Sequence, residues 1–239
     1  AGSWRFTSAL PGGRYRATLP AGPAGELSAK EARDFAWVFL DGKLLGTMDR
    51  RSQQYRVQVP QRQAAARLDI LIEAMGHVNF GPEVHDRKGL HGPVTLKTAA
   101  GDRLEPRAWQ VYRLPLDEPM LASLQWKRGK AGGPAFWRGG FDVTEPADTF
   151  LDVSTWGKGV LWVNGRCMGR FWNIGPTQTM YVPGPWLKRG RNEVIVLDLL
   201  GPQEPALAGL EKPILDQGCL LYTSPSPRDR TRPRMPSSA

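Results

Sequence analysis

The side chains best suited to metal binding or catalysis lie between residues 73 and 91 of the sequence. His77, His85 and His91 are spaced by eight and six residues, which matches no zinc pattern such as H-E-x-x-H, and neither cysteine is nearby. Asp86 follows His85, but no G-x-S-x-G nucleophile elbow accompanies the pair. We therefore predict that the histidines are polar loop residues, with neither a metal ion nor a cofactor.

Two glutamates in the same stretch raise the question of glycoside hydrolysis. A glycosidase needs two carboxyl groups about 5 to 9.5 Å apart on either side of the bond that is cleaved. Glu73 ends a predicted strand and Glu83 lies in the loop that follows. Glu73 would have to point away from the core, and no further feature marks either residue as a general acid. We predict no catalytic residue in this chain.

Large aromatic side chains surround an Asn-Gly pair in LWVNGRCMGRFW, from Leu161 to Trp172. Side chains alternate in direction along a strand, so Trp162 points away from the face that contains its two neighbours. One face therefore belongs to a core, and the other carries aromatic rings. Two interpretations remain open. Trp162 and Trp172 form a platform on which a sugar stacks, or Trp162 packs against a neighbouring domain.

The composition indicates a β-rich protein and argues against several function classes. The 27 glycines and 21 prolines supply frequent turns, and apolar residues recur with a period of two rather than with helical spacing. The net charge of +9 comes partly from the C-terminal RDRTRPR and is otherwise scattered, so we predict no nucleic-acid partner. No apolar run approaches the roughly 20 residues of a membrane helix, and KRGKAGG lacks the Lys-Ser/Thr of a P-loop.

Two hairpins with the same layout organise the predicted strands. VFLDGKLLGTMD and LWVNGRCMGRFW each contain an apolar strand, a turn pair, and a glycine four residues after the turn glycine. Asp41-Gly42 and Asn164-Gly165 predict type I′ turns, in which both central residues have positive φ. The predicted class is all-β, with one jelly-roll sandwich in residues 1–100 and a second, related one in residues 101–218.

The residues from 219 to 239 differ in kind from the rest. They are rich in Ser, Pro and Arg and have no apolar periodicity, which is typical of disorder. Back-translated, Cys219 to Asp229 resembles read-through of a transposon-derived sequencing adapter. We therefore treat 219–239 as a disordered, artefactual tail and exclude it from the fold.

Three segments resemble the C-terminal half of glycoside hydrolase family 35 β-galactosidases. They are LDILIEAMGHVNFGPEVHDRKGLHGPVTL, which begins at Leu68, PAFWRGGFDV, which begins at Pro134, and the region from Phe150 to Leu199. The resemblance implies galactose-binding-like jelly rolls that follow a TIM barrel, and it places both catalytic glutamates in that barrel, upstream of residue 1. It also implies removal of terminal non-reducing β-D-galactose with retention, through a glycosyl-enzyme formed on one glutamate.

The same resemblance suggests a role for the MGHVNFG segment. In the family, an aromatic residue after the Asn of this loop, often Tyr, lines the galactose pocket, and the matching positions here are Asn79 and Phe80. Phe keeps the apolar wall but lacks the hydroxyl. These two residues are therefore predicted at the rim of the substrate pocket, unless Phe80 fills an interface between domains.

Three functional hypotheses follow from these observations. In the first, the chain is a non-catalytic fragment of a retaining β-galactosidase whose partners are its own TIM barrel and a β-galactoside, with no membrane partner. In the second, it is an independent carbohydrate-binding module that uses Trp162 or Trp172. In the third, it is purely structural and supports a homo-oligomer. Family precedent favours the periplasm, secretion or the lysosome.

Overall fold

The computed structural model describes residues 5–7, 14–129, 131 and 133–215. Strands form most of its regular structure, which confirms the predicted all-β class. The strands before residue 115 are β1 (Arg5–Thr7), β2 (Arg14–Leu19), β3 (Gly25–Ser28), β4 (Glu31–Arg33), β5 (Phe35–Leu40), β6 (Lys43–Asp49), β7 (Arg56–Val59), β8 (Ala66–Glu73), β9 (Gly89–His91), β10 (Thr95–Thr98), β11 (Arg103–Leu104) and β12 (Gln110–Tyr112).

The remaining elements begin with one short helix, α1 (Glu118–Ala122). The later strands are β13 (Ala135–Val143), β14 (Thr149–Asp152), β15 (Lys158–Val163), β16 (Arg166–Trp172), β17 (Thr179–Val182), β18 (Gly190–Asp198) and β19 (Gly209–Leu210). Two 3₁₀ turns occupy Arg50–Ser52 and Gly184–Trp186. Within the described ranges, no helix has the length and apolar character needed to cross a membrane.

The first compact unit comprises the described residues from 14 to 122. Its main sheet has the strand order β12-β2-β8-β5-β6, a second sheet has the order β11-β10-β3-β7, and β4 pairs with β9. In β7, exposed Arg56 and Gln58 alternate with buried Val57 and Val59, as expected for a strand with one face on a core. The completely buried core side chains include Leu19, Leu27, Val38, Leu68, Ile70 and Leu96.

The second unit comprises β1 and the described residues from 123 to 215. Its five-stranded sheet has the order β1-β13-β18-β15-β16, and its three-stranded sheet has the order β17-β14-β19. Its core is centred on the buried side chains of Trp156, Leu161, Val163, Val182, Val194 and Val196. The five-stranded sheets of the two units share one arrangement, in which a long strand lies between the first strand of a hairpin and an earlier strand of the unit.

The two hairpins have the same backbone geometry. The φ angles are 49° and 84° at Asp41 and Gly42, and 48° and 79° at Asn164 and Gly165, so the predicted positive-φ turns are confirmed. In both hairpins the ladder shifts register close to the turn, between Val38 and Phe39 and between Leu161 and Trp162. The second strand therefore contains a β-bulge in each case.

The repeated glycine of the sequence lies next to this bulge. Gly46 pairs with Val38, and Gly169 pairs with Leu161. Gly169 has a φ of 110°, which a residue with a side chain rarely adopts. A Cβ atom at Gly46 would approach Val57 Cγ1 to 3.2 Å. The backbone conformation at Gly169 therefore favours glycine, and a side chain at Gly46 would require Val57 to shift by a few tenths of an ångström.

The first turn residue also attaches each hairpin to the long neighbouring strand. The Asp41 N–H donates to the Arg67 carbonyl at 2.9 Å, and the Arg67 N–H donates to Asp41 Oδ1 at 2.8 Å. The same pair of bonds joins Asn164 to Glu193, with both distances at 3.0 Å. A short polar side chain that tolerates positive φ is thus used twice for the same purpose.

Asn164 makes two further contacts that its counterpart Asp41 cannot make. Its Nδ2 donates to Asn192 Oδ1 at 2.8 Å and to the Trp186 carbonyl at 2.9 Å. Asn192 is completely buried, and its own Nδ2 donates to the Lys188 carbonyl at 2.8 Å. The amide of Asn164 therefore links the hairpin turn to β18 and to the segment that precedes it.

The division of the chain in the structure differs from the sequence-based boundary at residue 100. Strands β11 and β12 pair with β10 and β2, so the first unit extends to residue 122. Strand β1 pairs with β13 and belongs to the second unit. The β12–β2 and β1–β13 pairings join residues far apart in sequence, which local patterns do not reveal. The tail predicted at 219–239 lies outside the described residues.

The two hairpin turns should respond differently when the Asn and the Asp at their first turn position are replaced by each other. We expect Asn164→Asp to lower the free energy of unfolding by about 2 kcal/mol, because two acceptors lose their donor. Asp41→Asn keeps the oxygen that accepts from the Arg67 N–H and should change the free energy of unfolding by less than about 0.5 kcal/mol. Urea unfolding followed by tryptophan fluorescence measures both values. Equal effects would contradict the assigned role of the Asn164 amide.

Candidate functional site

The predicted rim residues lie in the segment from 74 to 88, between β8 and β9, which we call the rim loop. Asn79 and Phe80 are both exposed. Phe80 is 83% exposed, the highest fraction among the large apolar side chains described, and Val84 in the same loop is 49% exposed. The rim loop therefore presents two apolar side chains to solvent.

Four charged residues form an ion cluster at the base of the rim loop. Asp34 and Asp86 are buried, with 5% and 2% of their surface exposed. Arg50 Nη1 donates to Asp34 Oδ1 at 2.8 Å and to Asp86 Oδ1 at 2.7 Å. Lys88 Nζ lies 2.7 Å from both Asp34 Oδ2 and Asp86 Oδ2. Each cation thus bridges the two carboxylates.

The same two carboxylates bind the backbone of the rim loop. The Met75 N–H donates to Asp34 Oδ2 at 2.7 Å, and the Val78 N–H donates to Asp86 Oδ2 at 2.9 Å. Asp34 is in turn held by the main sheet, because its N–H donates to the Glu73 carbonyl at 2.9 Å. The beginning of the loop, at Met75 and Val78, and its end, at Asp86 and Lys88, therefore meet in one cluster.

Hydrogen bonding keeps both carboxylates of the cluster ionised. Burial acts to raise the pKa of Asp34, but hydrogen bonds from Lys88, the Met75 N–H and Arg50 outweigh it and hold the pKa below its ordinary value. For Asp86, the hydrogen bond from Lys88 is the largest cause of a pKa far below the usual range. A general acid must hold a proton near the working pH, so neither carboxyl group is suited to that role.

A second layer of charge lies outside the cluster. Arg33 Nη1 is 3.5 Å from Asp86 Oδ1, and Arg33 Nη2 is 3.2 Å from Glu83 Oε2. Glu83 is 59% exposed, so its ion pair is largely screened by water. A cavity of about 390 Å³ is lined by the cluster and by loop residues that include Met75, His77 and Val78.

The histidines that the sequence singled out differ in their exposure to solvent. His77 and His85 are exposed and His91 is half-buried. Among the described residues, no group of three His, Cys, Asp or Glu side chains is placed to hold a metal ion. The structure instead brings together the carboxylates of Asp34 and Asp86; the sequence pattern drew attention to Asp86 only as a neighbour of His85, and Asp34 has no local signal.

The two tryptophans considered for sugar stacking have different surroundings. Trp162 is only 2% exposed and lies 6.4 Å from Phe136 between ring centroids. The predicted stacking role requires an accessible ring face, which Trp162 lacks in this structure. Trp172 is half-buried, and Lys158 Nζ lies 4.1 Å from its ring centroid in a cation–π contact. Its role in sugar binding remains a prediction.

Both units of the structure match models of known protein domains. Residues 14–115 match the family model of the first all-β domain of β-galactosidase, and residues 134–192 match the model of the β-galactosidase galactose-binding domain. The chain is a β-sandwich region of the β-galactosidase family. The two matched ranges lie in the two units of the structure, and the rim loop belongs to the first all-β domain.

Relatives in the β-galactosidase family match about 70% of this chain. A β-galactosidase of Xanthomonas manihotis is 38% identical over 170 residues, which are 70% of this chain and 27% of that protein. The β-galactosidase-1-like protein 3 of Rattus norvegicus is 37% identical over 181 residues, which are 73% of this chain and 27% of that protein. The chain therefore spans about 27% of the length of each of these relatives.

The ion cluster predicts a specific dependence of stability on pH. Because the pKa values of Asp34 and Asp86 are lowered in the folded state, the unfolded state takes up protons at a higher pH than the folded state does. The stability that these two carboxylates contribute is therefore fully present above about pH 4 and is lost as the pH falls further. Asp34→Asn should cost about 2 kcal/mol at pH 6, because Arg50 and Lys88 then share one carboxylate. It should also flatten the fall in stability between pH 5 and pH 3, as measured by urea unfolding at each pH.

Asp142→Asn is the matched control for this experiment. Asp142 is 72% exposed and pairs with Arg191, which is 55% exposed, at 3.3 Å. Its replacement should change stability by less than about 0.5 kcal/mol. If the unfolding free energy of Asp34→Asn fell as steeply as that of the wild type between pH 5 and pH 3, the role of the ion cluster in acid stability would be contradicted.

Proposed function

We propose that this region supports the catalytic barrel of a retaining β-galactosidase and places Asn79 and Phe80 at the rim of its substrate pocket. The observation that carries the proposal is the combination of an 83% exposed phenylalanine with a loop anchored by buried charges. An exposed apolar side chain contributes hydrophobic stabilisation when a partner or ligand covers it and removes its surface from water. The anchored loop holds Phe80 ready for such a contact.

The chemistry of these two side chains suits the edge of a sugar site. One face of a galactose ring is rich in C–H groups and packs against an aromatic ring, whereas its hydroxyl groups need hydrogen-bond partners. Phe80 supplies the apolar surface, and the neighbouring Asn79 amide supplies two donors and an acceptor. Because phenylalanine has no hydroxyl, its contribution is contact and exclusion of water.

Proton transfer and nucleophilic attack are assigned to two glutamates of the barrel. In a retaining glycosidase, one carboxylate forms the covalent glycosyl-enzyme and the other acts first as acid and then as base. The ionised state of Asp34 and Asp86 supports a structural role for these groups. The share of about 27% of the relatives' length supports a larger protein around this region.

The rim role is tested in the full-length protein that carries this region. Phe80→Ala should lower kcat/KM for a nitrophenyl β-galactoside about tenfold, because the apolar wall is removed. Phe80→Tyr keeps the ring and should stay within about threefold of wild type. Melting temperatures should remain unchanged, because the Phe80 ring is exposed.

Val84→Ala is the control, because it removes an exposed apolar side chain from the same loop. It should change kcat/KM by less than about twofold. If Phe80→Ala and Val84→Ala had equal effects, Phe80 would have no special position at the rim.

The isolated 239-residue chain should not hydrolyse a chromogenic β-galactoside at a measurable rate. Turnover that is abolished by Glu73→Gln would contradict the assignment of chemistry to the barrel. The same sample can be titrated with galactose by calorimetry. Millimolar or tighter binding that is lost in Trp172→Ala would favour the alternative of an independent carbohydrate-binding module.

A further inference from the structure

We infer that Asp86 is a positioning residue for Phe80, because its carboxylate fixes the course of the rim loop two residues before the ring. The inference rests on the proposed function and assigns the control of the rim to a group that does not touch the sugar. In this inference the ion cluster influences the substrate site through the position of the rim loop.

Asp86 is well placed to hold the loop in one conformation. Its side chain is completely buried and accepts hydrogen bonds from three directions: Arg50, Lys88 and the Val78 N–H. Arg33 Nη1 adds a third positive charge, after those of Arg50 and Lys88, at 3.5 Å. Arg50 belongs to the turn after β6, so the carboxylate is fixed to the sandwich as well as to the loop.

The path from this carboxylate to the ring is short. Val78 is two residues from Phe80, a distance of at most about 7 Å along an extended chain. If the Val78 N–H moves, the Phe80 ring is therefore expected to move with it, because only one residue lies between them. The second anchor, from the Met75 N–H to Asp34, fixes the preceding part of the loop.

Loss of the Asp86 charge should affect the loop more than the sandwich. The core of the first unit consists of apolar side chains such as Leu68, Ile70 and Leu96, which make up a separate buried cluster. The rim loop contains no strand or helix and depends on a few polar contacts, which is typical of segments that open locally. Asp86 therefore controls local order on the surface that carries Phe80.

Asp86→Asn in the full-length protein tests the inference, since Asn has the same shape and lacks the charge. Hydrogen exchange of the Met75 to Val78 amides should become at least tenfold faster. The value of kcat/KM should fall five- to tenfold when Phe80 is present and less than twofold in a Phe80→Ala background, because Asp86 acts through that ring. The double-mutant comparison separates positioning from a general loss of stability.

Glu83→Gln is the control, because Glu83 lies in the same loop and its exposed carboxylate contacts the cluster only from outside. It should change both measurements by less than twofold. If Asp86→Asn does not fold, Lys88→Gln tests the same point, since it weakens both carboxylate contacts and leaves the two backbone acceptors in place.

The possible outcomes distinguish this inference from the proposed function. Equal losses of kcat/KM with and without Phe80, or unchanged exchange in the loop, would overturn the inference about Asp86. If Phe80→Ala has no effect on kcat/KM, the rim function fails and so does the catalytic part of the inference. The exchange measurement then still decides whether Asp86 anchors the loop.

Discussion

Two buried carboxylates that share two cations hold the rim loop of this protein in place. The removal of such charges from water is costly, and it is offset only when every charge has close partners of opposite sign. Those partners come together only if the main sheet is in register. Phe35, directly after Asp34, pairs with Glu73 on one side and with Asp49 on the other. The register of β5, β6 and β8 thus brings Asp34, Arg50 and the start of the rim loop to one place.

The features that the sequence predicted are those encoded by local chemistry. Asp-Gly and Asn-Gly pairs specify hairpin turns, and alternating apolar residues specify strands such as β7 and β8, whatever the rest of the chain does. The two-residue strand β19 depends on a partner about 60 residues earlier in the chain, β14, and has no local pattern of its own. The ion cluster joins residues that are 16, 36 and 54 positions apart, so no spacing rule would have selected it. The three histidines were candidates because of their residue type alone, and two of them are exposed in the fold.

The two sandwiches use the same construction for different purposes. Both have a bulged hairpin attached to a long strand through the first residue of its turn. In the second unit this residue is Asn164, whose amide extends a neutral network around Asn192. In the first unit it is Asp41, and the elaborate polar contacts lie instead at the opposite end of β5, where the rim loop begins. One sandwich therefore has a network of polar contacts at its own turn, and the other has one beneath an exposed loop.

The pairing of β1 with β13 has a consequence for the synthesis of the protein. Residues 5–7 leave the ribosome long before residues 135–143, yet they form neighbouring strands of one sheet. At roughly 5 to 20 residues per second, the early strand waits on the order of ten seconds for its partner, while the intervening chain can already fold as a sandwich. All of residues 14–122 have therefore been synthesised before β1 can pair with β13, and separate expression of residues 123–215 would leave the edge of their main sheet without its natural neighbour.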